Sequence, residues 1–176
     1  MDKMILVKLT SKAWSLTILS LMFRGVPGRQ APLLAKSGAS RTAFSQSLHH
    51  LIEIGLMERN PGHGHPLRPE FRLTDQGKVY ARVADRILKN SPAEGLPVLR
   101  RNWTVPVLSE LRKPLFFNEI RAGLPNITDR ALSQSLQVLE GQKWVHRNVI
   151  DDMRPPRPQY TAVNDGLKIS QAVPLT

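Results

Sequence analysis

Apolar residues recur at helical spacing in two stretches of the chain that have nearly the same sequence. The first stretch, residues 40–51, reads SRTAFSQSLHHL, and the second, residues 128–139, reads TDRALSQSLQVL. In each, a hydroxyl residue suited to cap a helix precedes apolar residues three or four positions apart, which predicts an amphipathic helix. The residues expected to be buried are Phe44, Leu48 and Leu51 in the first helix and Leu132, Leu136 and Leu139 in the second.

The similarity between the two halves of the chain extends well beyond these helices. Trp14 matches Trp103 at an offset of 89 residues, and Gly77 matches Gly166 at the same offset. A period of this length is that of a small domain rather than of a solenoid repeat. The pattern therefore predicts two copies of one domain, at residues 1–90 and 98–176, joined by a linker that contains two prolines and a glycine.

The same order of elements is predicted in each copy. In the first, helices are expected at residues 11–24, 29–36, 40–54 and 78–90, and strands at 56–59 and 71–74 flank a Gly- and Pro-rich loop. In the second, helices are expected at 101–112, 117–122 and from 128, and strands at 144–147 and 159–162 flank a loop at 148–158. On the helix at 78–90, we expect Val79, Val83, Ile87 and Leu88 to share one apolar face.

A helix-turn-helix followed by two short strands and a loop is a winged helix. The predicted fold class is therefore mainly α, with two tandem winged-helix domains, each a helix-turn-helix plus a β-hairpin wing, forming a pseudo-dimer. Such units of roughly 80 residues are individually small, so we expect them to pack on each other.

The charge of the chain indicates an anionic partner. The formal net charge is +11, with 14 Lys and Arg against 6 Asp and Glu in residues 1–90, and 11 against 8 in residues 91–176. A surplus of this size favours nucleic acid or an anionic membrane surface. The apolar run at the N-terminus is short and broken by Lys8, so neither a signal peptide nor a membrane span is predicted, and a cytoplasmic protein is expected.

Residues 124–136, LPNITDRALSQSL, and residues 155–160, PPRPQY, resemble the core pattern of HxlR-type winged-helix regulators, which are relatives of the MarR group. The first copy shows the same skeleton in residues 55–59, GLMER, and 71–77, FRLTDQG. The resemblance implies binding to double-stranded DNA, usually as symmetric dimers of one winged helix each. Two copies in one chain could replace that dimer or form half of a larger assembly, so a homodimer of this chain stays open.

The chain departs from the family pattern at two places. An arginine followed by a phenylalanine is usual at the start of the second helix, whereas this chain has Arg29-Gln30 in the first copy and Phe116-Phe117 in the second. The second copy also has Lys143-Trp144 where a Gly-Leu pair is expected. Each copy therefore keeps a different half of the arginine and phenylalanine pair.

Candidate DNA-binding residues lie on the exposed faces of the two capped helices and on the wings. A recognition helix reaches base edges in the major groove with its N-terminal residues, and a wing lies along phosphates or the minor groove. Asp129 weakens the second helix as a phosphate binder. The candidates are Arg41, Thr42, Ser45 and His49 with wing residues Arg68 and Arg72 in the first copy, and Arg130, Ser133 and Gln137 with wing residues Arg154 and Arg157 in the second.

The pattern as a whole predicts a sequence-specific transcriptional regulator that binds duplex DNA with two unlike recognition helices. No catalytic residues, no cofactor and no metal are predicted: cysteine is absent, and His63 and His65 lack a third ligand at a recognisable spacing. The residues indicate no particular small-molecule effector. Two other classes stay open, namely a protein-interaction module in which the second copy has lost DNA contact, and a nonspecific, nucleoid-type DNA binder.

Overall fold

A computed structural model of the protein describes residues 1–65, 67–150 and 156–174. By their internal contacts these residues form two compact units, an N-terminal unit of residues 12–88 and a C-terminal unit of residues 89–176 together with residues 1–11. The predicted division into residues 1–90 and 98–176 stays a prediction, and it differs from this grouping in where it places the first eleven residues. Those residues form helix α1 (Lys3–Thr10), which the residue pattern does not predict.

The N-terminal unit consists of four helices and one hairpin. The buried apolar residues of α4 are those predicted from the periodicity, with Phe44 and Leu51 fully buried and Leu48 nearly so. Ser40 caps this helix by accepting a hydrogen bond from the N–H of Ala43 at 3.3 Å, also as predicted. The elements are α2 (Ser15–Phe23), α3 (Gln30–Ser37), α4 (Arg41–Glu53), β1 (Met57–His65), β2 (Arg68–Leu73) and α5 (Asp75–Lys89).

The helix after the wing corrects one prediction about its buried face. Val79 is 58% exposed, although it was expected on the apolar side. Val83 and Ile87 are buried as predicted, and Tyr80 and Ala84 are buried beside them. These four follow the spacing of three and four residues that one face of an α-helix requires, and Val79 lies outside that stripe.

The wing of the N-terminal unit is longer than predicted, because its two strands extend through most of the loop expected between them. Strands β1 and β2 are antiparallel, from Met57 opposite Leu73 to His65 opposite Arg68, with a register shift between Arg59 and Gly64. A bulge of this kind lets a hairpin continue past a proline, which cannot donate to the ladder. The Gly- and Pro-rich composition therefore marks the irregularity rather than the end of the strands.

Pairing with a third segment braces this wing against the helix-turn-helix. The N–H of Phe71 donates to the carbonyl oxygen of Gly28 at 2.6 Å, and Arg29 forms an isolated antiparallel bridge with Glu70. The backbone of Gly28 lies so close to that of Phe71 that a Cβ on Gly28 would be 1.9 Å from the carbonyl oxygen of Phe71. Only glycine fits there without a backbone shift.

The C-terminal unit repeats this order with some unpredicted additions. The linker region forms short helices, and the tail forms α10. The helix expected at 101–112 is α7, which begins only after Trp103, so Pro106 falls in its first turn, where its missing N–H leaves no hydrogen bond unmade. The elements are a 3₁₀ turn (Ala93–Gly95), α6 (Leu96–Leu99), α7 (Thr104–Glu110), β3 (Leu115–Phe116), α8 (Phe117–Gly123), α9 (Asp129–Gly141), β4 (Val145–Ile150), β5 (Arg157–Ala162) and α10 (Asn164–Ala172).

Hydrogen bonds and an ion pair bind the outer elements to the core of the C-terminal unit. Strand β5 pairs with both β3 and β4 in a three-stranded antiparallel sheet. Arg112 donates to the carbonyl oxygens of Ser170 and Val173 at the end of α10. Helix α1 joins the unit through Lys3, whose Nζ lies 2.7 Å from a carboxylate oxygen of Glu110.

Equivalent glycines show that the repeat is structural. A Cβ on Gly77 would lie 1.8 Å from the carbonyl oxygen of Leu56, and a Cβ on Gly166 would lie 2.2 Å from that of Trp144. The same carbonyl oxygens accept hydrogen bonds from the N–H groups of Thr74 and Val163, at 3.2 and 2.8 Å. In both units the helix after the wing is thus held against the backbone that follows the second helix of the helix-turn-helix, α4 or α9.

Helices α4 and α9 are followed by different residues in the same backbone conformation. Gly55 has a φ of +74°, and Lys143, at the equivalent position, has a φ of +58°. This region is accessible to glycine but costs other residues about 1–2 kcal/mol. The departure from the Gly-Leu pattern therefore changes the residue without changing the turn. With these elements, the prediction of a mainly α fold of two tandem winged helices is confirmed.

Among the helices of the described residues, none alone is long and apolar enough to cross a membrane. Helices α1 and α2 meet the criteria of length and composition only when taken together across the break at residues 11–14.

Candidate nucleic-acid interface

The helix-turn-helix of the N-terminal unit is built from α3, a tight turn and α4. Gly38 ends α3 in the left-handed conformation, with φ at +72°, and Ser40 then caps α4. On the inner side of α4, the hydroxyl of Ser47 is buried and accepts a hydrogen bond from the N–H of Trp14 at 3.3 Å. The buried side of α4 is therefore held by both apolar and polar contacts, which fixes the direction of its outer side.

The outer side of α4 carries the four predicted contact residues. Arg41, Thr42 and His49 are exposed, and Ser45 is half-buried. The Nδ1 of His49 lies 2.8 Å from the carbonyl oxygen of Ser45 and 3.3 Å from the hydroxyl oxygen of the same residue. The hydrogen bond holds the imidazole along the helix and leaves its Nε2 for another partner.

A groove of about 930 Å³ lies between this helix-turn-helix and its wing. It brings Arg41, at the start of α4, together with Arg68, at the start of β2. Both were predicted as DNA contacts. It also adds Arg29, the cap residue of α3, to which the sequence analysis assigns no contact. The signal that could have identified Arg29 is the arginine usual in the family at the start of the second helix. We call this site the arginine groove.

The second predicted wing arginine of the N-terminal unit is engaged within the hairpin. The Nε of Arg72 lies 2.7 Å from a carboxylate oxygen of Glu58, the residue opposite it in the ladder. Both side chains are about half exposed, so the pair contributes at most about 1 kcal/mol and can be exchanged for another partner. Arg72 does not line the arginine groove.

The helix-turn-helix of the C-terminal unit is built from α8, a turn and α9. Thr128 caps α9 by accepting from the N–H of Ala131 at 3.2 Å, as predicted. The carboxylate of Asp129 lies 2.7 Å from the Nε of Arg121, at the end of α8. This ion pair links the two helices and partly offsets the negative charge at the start of α9. Arg130, Ser133 and Gln137 are all exposed on the outer side, at the positions equivalent to those in α4.

The equivalent groove of the C-terminal unit is smaller and carries less positive charge. It has a volume of about 250 Å³, and two phenylalanines, Phe116 and Phe117, line it beside the single arginine Arg157. Glu119 is also in its lining, and its carboxylate accepts from the N–H of Phe116 at 2.7 Å. The remaining predicted wing contact, Arg154, lies outside the described residues.

Within the part of the chain that the structure describes, no three His, Asp or Glu side chains are grouped as metal ligands. The two surfaces present guanidinium, hydroxyl, amide and imidazole groups at helix starts and wings. Such groups form hydrogen bonds with phosphate oxygens and with base edges.

Comparisons with known proteins agree with this architecture. A family model described as an HxlR-like helix-turn-helix matches residues 9–91 and, separately, residues 98–174. An uncharacterized HTH-type transcriptional regulator of Mycobacterium tuberculosis is 38% identical over 105 residues, which cover 56% of this chain and 65% of that protein. The match thus spans slightly less than two thirds of the length of that relative.

Two further similarities cover smaller parts of the chain. The uncharacterized HTH-type transcriptional regulator YvaP of Bacillus subtilis is 32% identical over 74 residues, covering 42% of this chain and 68% of that protein. A crystal structure described as a MarR-family transcriptional regulator from Porphyromonas gingivalis superposes with a TM-score of 0.41 at 21% identity, covering 43% of this chain and 74% of that one. Because the family model matches both halves of the chain, across both helix-turn-helix units and their wings, this protein belongs to the HxlR-like helix-turn-helix family.

Proposed function

We propose that this protein is a transcriptional regulator that binds duplex DNA in a sequence-specific manner, with α4 and α9 as two unlike recognition helices in one chain. The observation that carries the proposal is the arginine groove, where the start of α4 and the start of the wing strand β2 present Arg41 and Arg68 together. A winged helix contacts DNA with these two elements, the helix in the major groove and the wing along the backbone.

The outer side of α4 has the chemistry that major-groove recognition needs. Arginine forms bidentate hydrogen bonds with guanine, and hydroxyl groups donate to or accept from several base edges. Arg41, Thr42 and Ser45 supply these groups within the first turn and a half of the helix, close to its N-terminal end, which enters the groove first. The net charge of +11 adds attraction to phosphate that is independent of sequence.

The two recognition helices differ at equivalent positions, which supports two unlike half-sites. Arg41-Thr42 in α4 corresponds to Asp129-Arg130 in α9. A carboxylate accepts from the amino group of cytosine, where an arginine would donate to guanine. If one chain takes the place of a two-subunit dimer, the half-sites are expected about one helical turn, roughly 34 Å, apart and not palindromic.

The experiment that tests this proposal is selection of bound sequences from a random duplex library at near-physiological salt. Arg41→Ala and Arg130→Ala are run beside the wild type, with Arg82→Ala and Arg101→Ala as controls that remove the same charge from exposed positions outside α4 and α9. The expected result is a bipartite motif that loses one half with each recognition-helix variant and neither half with the controls. A palindromic motif would indicate instead that two chains bind together.

A second function is favoured for the C-terminal unit by two specific observations. Asp129 is paired with Arg121, and the groove beside the wing is lined by two phenylalanines, so this unit presents less positive charge to DNA. A module that docks to another protein would use such a surface. If selection yields a single half-site that Arg130→Ala leaves unchanged, the C-terminal unit is assigned to that role. If no sequence is enriched and binding only fades as salt rises, the nonspecific binder replaces the specific regulator.

A further inference from the structure

Three arginines from three different elements converge on the arginine groove. Arg29 is the cap residue of α3, Arg41 is the first residue of α4, and Arg68 is the first residue of β2. All three are exposed, and within the described residues none of them is paired with a carboxylate. Three guanidinium groups that line one groove give it a positive potential, which favours an anion there.

Apart from Gln30, the rest of the lining consists of prolines and aliphatic side chains. One of them, Leu67, is 85% exposed at the tip of the wing. A large apolar side chain this exposed, in a groove that also presents three arginines, favours a partner with both anionic and apolar parts. The apolar lining residues are Pro27, Ala31, Pro32, Leu34, Leu67 and Pro69.

We propose that the arginine groove seats the sugar-phosphate backbone of one DNA strand, at the point where that strand passes between α4 and the wing. Arg29 contacts a phosphate there, and Leu67 packs on the carbon atoms of the adjacent deoxyribose. The proposal rests on the proposed function, since it names the part of the DNA that this surface holds. Guanidinium groups bind phosphate oxygens in bidentate geometry, and the backbone alternates such phosphates with apolar sugar faces.

The position of Arg29 suits a backbone contact that is the same for every sequence. Its main chain is held on both sides, by the bridge to Glu70 of the wing and by the hydrogen bond that its carbonyl oxygen accepts from Leu33 at 3.2 Å. It lies outside α4, the helix that reaches the bases. A side chain anchored between the wing and α3 fixes the register of the protein on DNA without reading a base.

The experiment compares Arg29→Ala, Leu67→Ser and the control Arg82→Ala in the full-length chain. Dissociation constants are measured by fluorescence anisotropy for a selected duplex and for a scrambled duplex, over a series of salt concentrations. Arg29→Ala is expected to weaken both duplexes by the same factor and to lower the salt slope by about 0.9, the value for one neutralised phosphate. Leu67→Ser is expected to weaken both duplexes without changing the slope, because it removes no charge.

Two results would overturn the proposal. One is that the salt slope of DNA binding by Arg29→Ala equals that of Arg82→Ala. The other is that Arg29→Ala loses affinity for the selected duplex only, which would make Arg29 a base-reading residue. If the groove binds free phosphate instead of DNA, Arg29→Ala leaves the salt slope of DNA binding unchanged. In that case, a titration of the wild type with inorganic phosphate shifts the NMR resonance of the Arg29 Nε–Hε group. If the wild-type protein binds the scrambled and the selected duplex equally well, the proposal of sequence-specific binding fails. The comparison of salt slopes between Arg29→Ala and Arg82→Ala still tests whether the groove holds the DNA backbone. Thermal melting of each variant verifies that it is folded.

Discussion

The two winged helices share a backbone plan but differ where helix-turn-helix and wing meet. In the N-terminal unit this place carries Arg29, Arg41 and Arg68, whereas in the C-terminal unit the equivalent residues are Phe116, Asp129 and Arg157. Both units keep a capped recognition helix of 13 residues with an apolar inner stripe. Packing therefore constrains the inner side of each unit, and the outer side is free to diverge toward different partners.

The divergence is largest at the first residue of the recognition helix, so exchanging that residue is the strongest test. Arg41→Asp is expected to weaken duplex binding by about 1–3 kcal/mol, or roughly 5- to 150-fold, because it removes a contact and adds repulsion from phosphate. Asp129→Arg is expected to strengthen binding, since it removes a negative charge from the start of α9. Affinities from gel shift or anisotropy measure both, and Arg82→Asp controls for net charge. Equal losses for Arg41→Asp and Arg82→Asp would show that α4 does not face DNA.

A smaller gain is expected when the C-terminal unit receives the arginine that it lacks. Phe116 pairs with strand β5 in the same way that Arg29 forms a bridge with strand β2. Phe116→Arg therefore places a guanidinium group at the position in the C-terminal unit that corresponds to Arg29. The salt slope of duplex binding is expected to rise by about 0.9, with a gain in affinity below about tenfold. An unchanged slope in a folded variant would assign the C-terminal groove to a partner other than DNA. Because Phe116 is half-buried, a melting curve accompanies the titration.

The smallest expected effect concerns the turn after each recognition helix. Lys143→Gly is expected to raise the free energy of unfolding by about 0.5–1 kcal/mol, since glycine adopts a positive φ without the steric cost that Lys143 bears. Gly55→Lys is expected to lower it by a similar amount. Urea denaturation followed by tryptophan fluorescence measures both changes. The free energy of unfolding must change in opposite directions in the two variants. A loss of stability with Lys143→Gly would mean that the lysine side chain makes a contact that offsets the steric cost of its positive φ.

Most of each helix-turn-helix could be predicted from the sequence because its signals are local. Ser40 and Thr128 cap the helices that follow them, and the buried leucines of α4 and α9 repeat at helical spacing. The predictions failed where the deciding contact is distant. Strands β1 and β2 continue through a Pro- and Gly-rich stretch because a bulge absorbs the irregularity, and β3 is a strand only because β5 pairs with it.

Helices α1 and α10 show the same limit of local signals. The pattern at residues 3–10 lacks a long apolar stripe, and α1 is held by tertiary contacts such as the ion pair between Lys3 and Glu110. Helix α10 begins at Asn164, which has a positive φ of +51°. The residue before it, Val163, makes no side-chain capping hydrogen bond, so the residue pattern contains no capping signal for this helix. Short helices are marginal on their own, so packing decides whether they form.

The sequence by itself determined the duplication, the two capped amphipathic helices α4 and α9, and the family, because periodicity, capping residues and repeated spacing act between near neighbours. Only the tertiary structure decided which charges meet. It brings Arg29, Arg41 and Arg68 from three elements to one groove, and it pairs Asp129 with Arg121 across a turn. The physical reason is that electrostatic and apolar contacts depend on distance in space, and the folded backbone alone sets that distance for residues far apart along the chain.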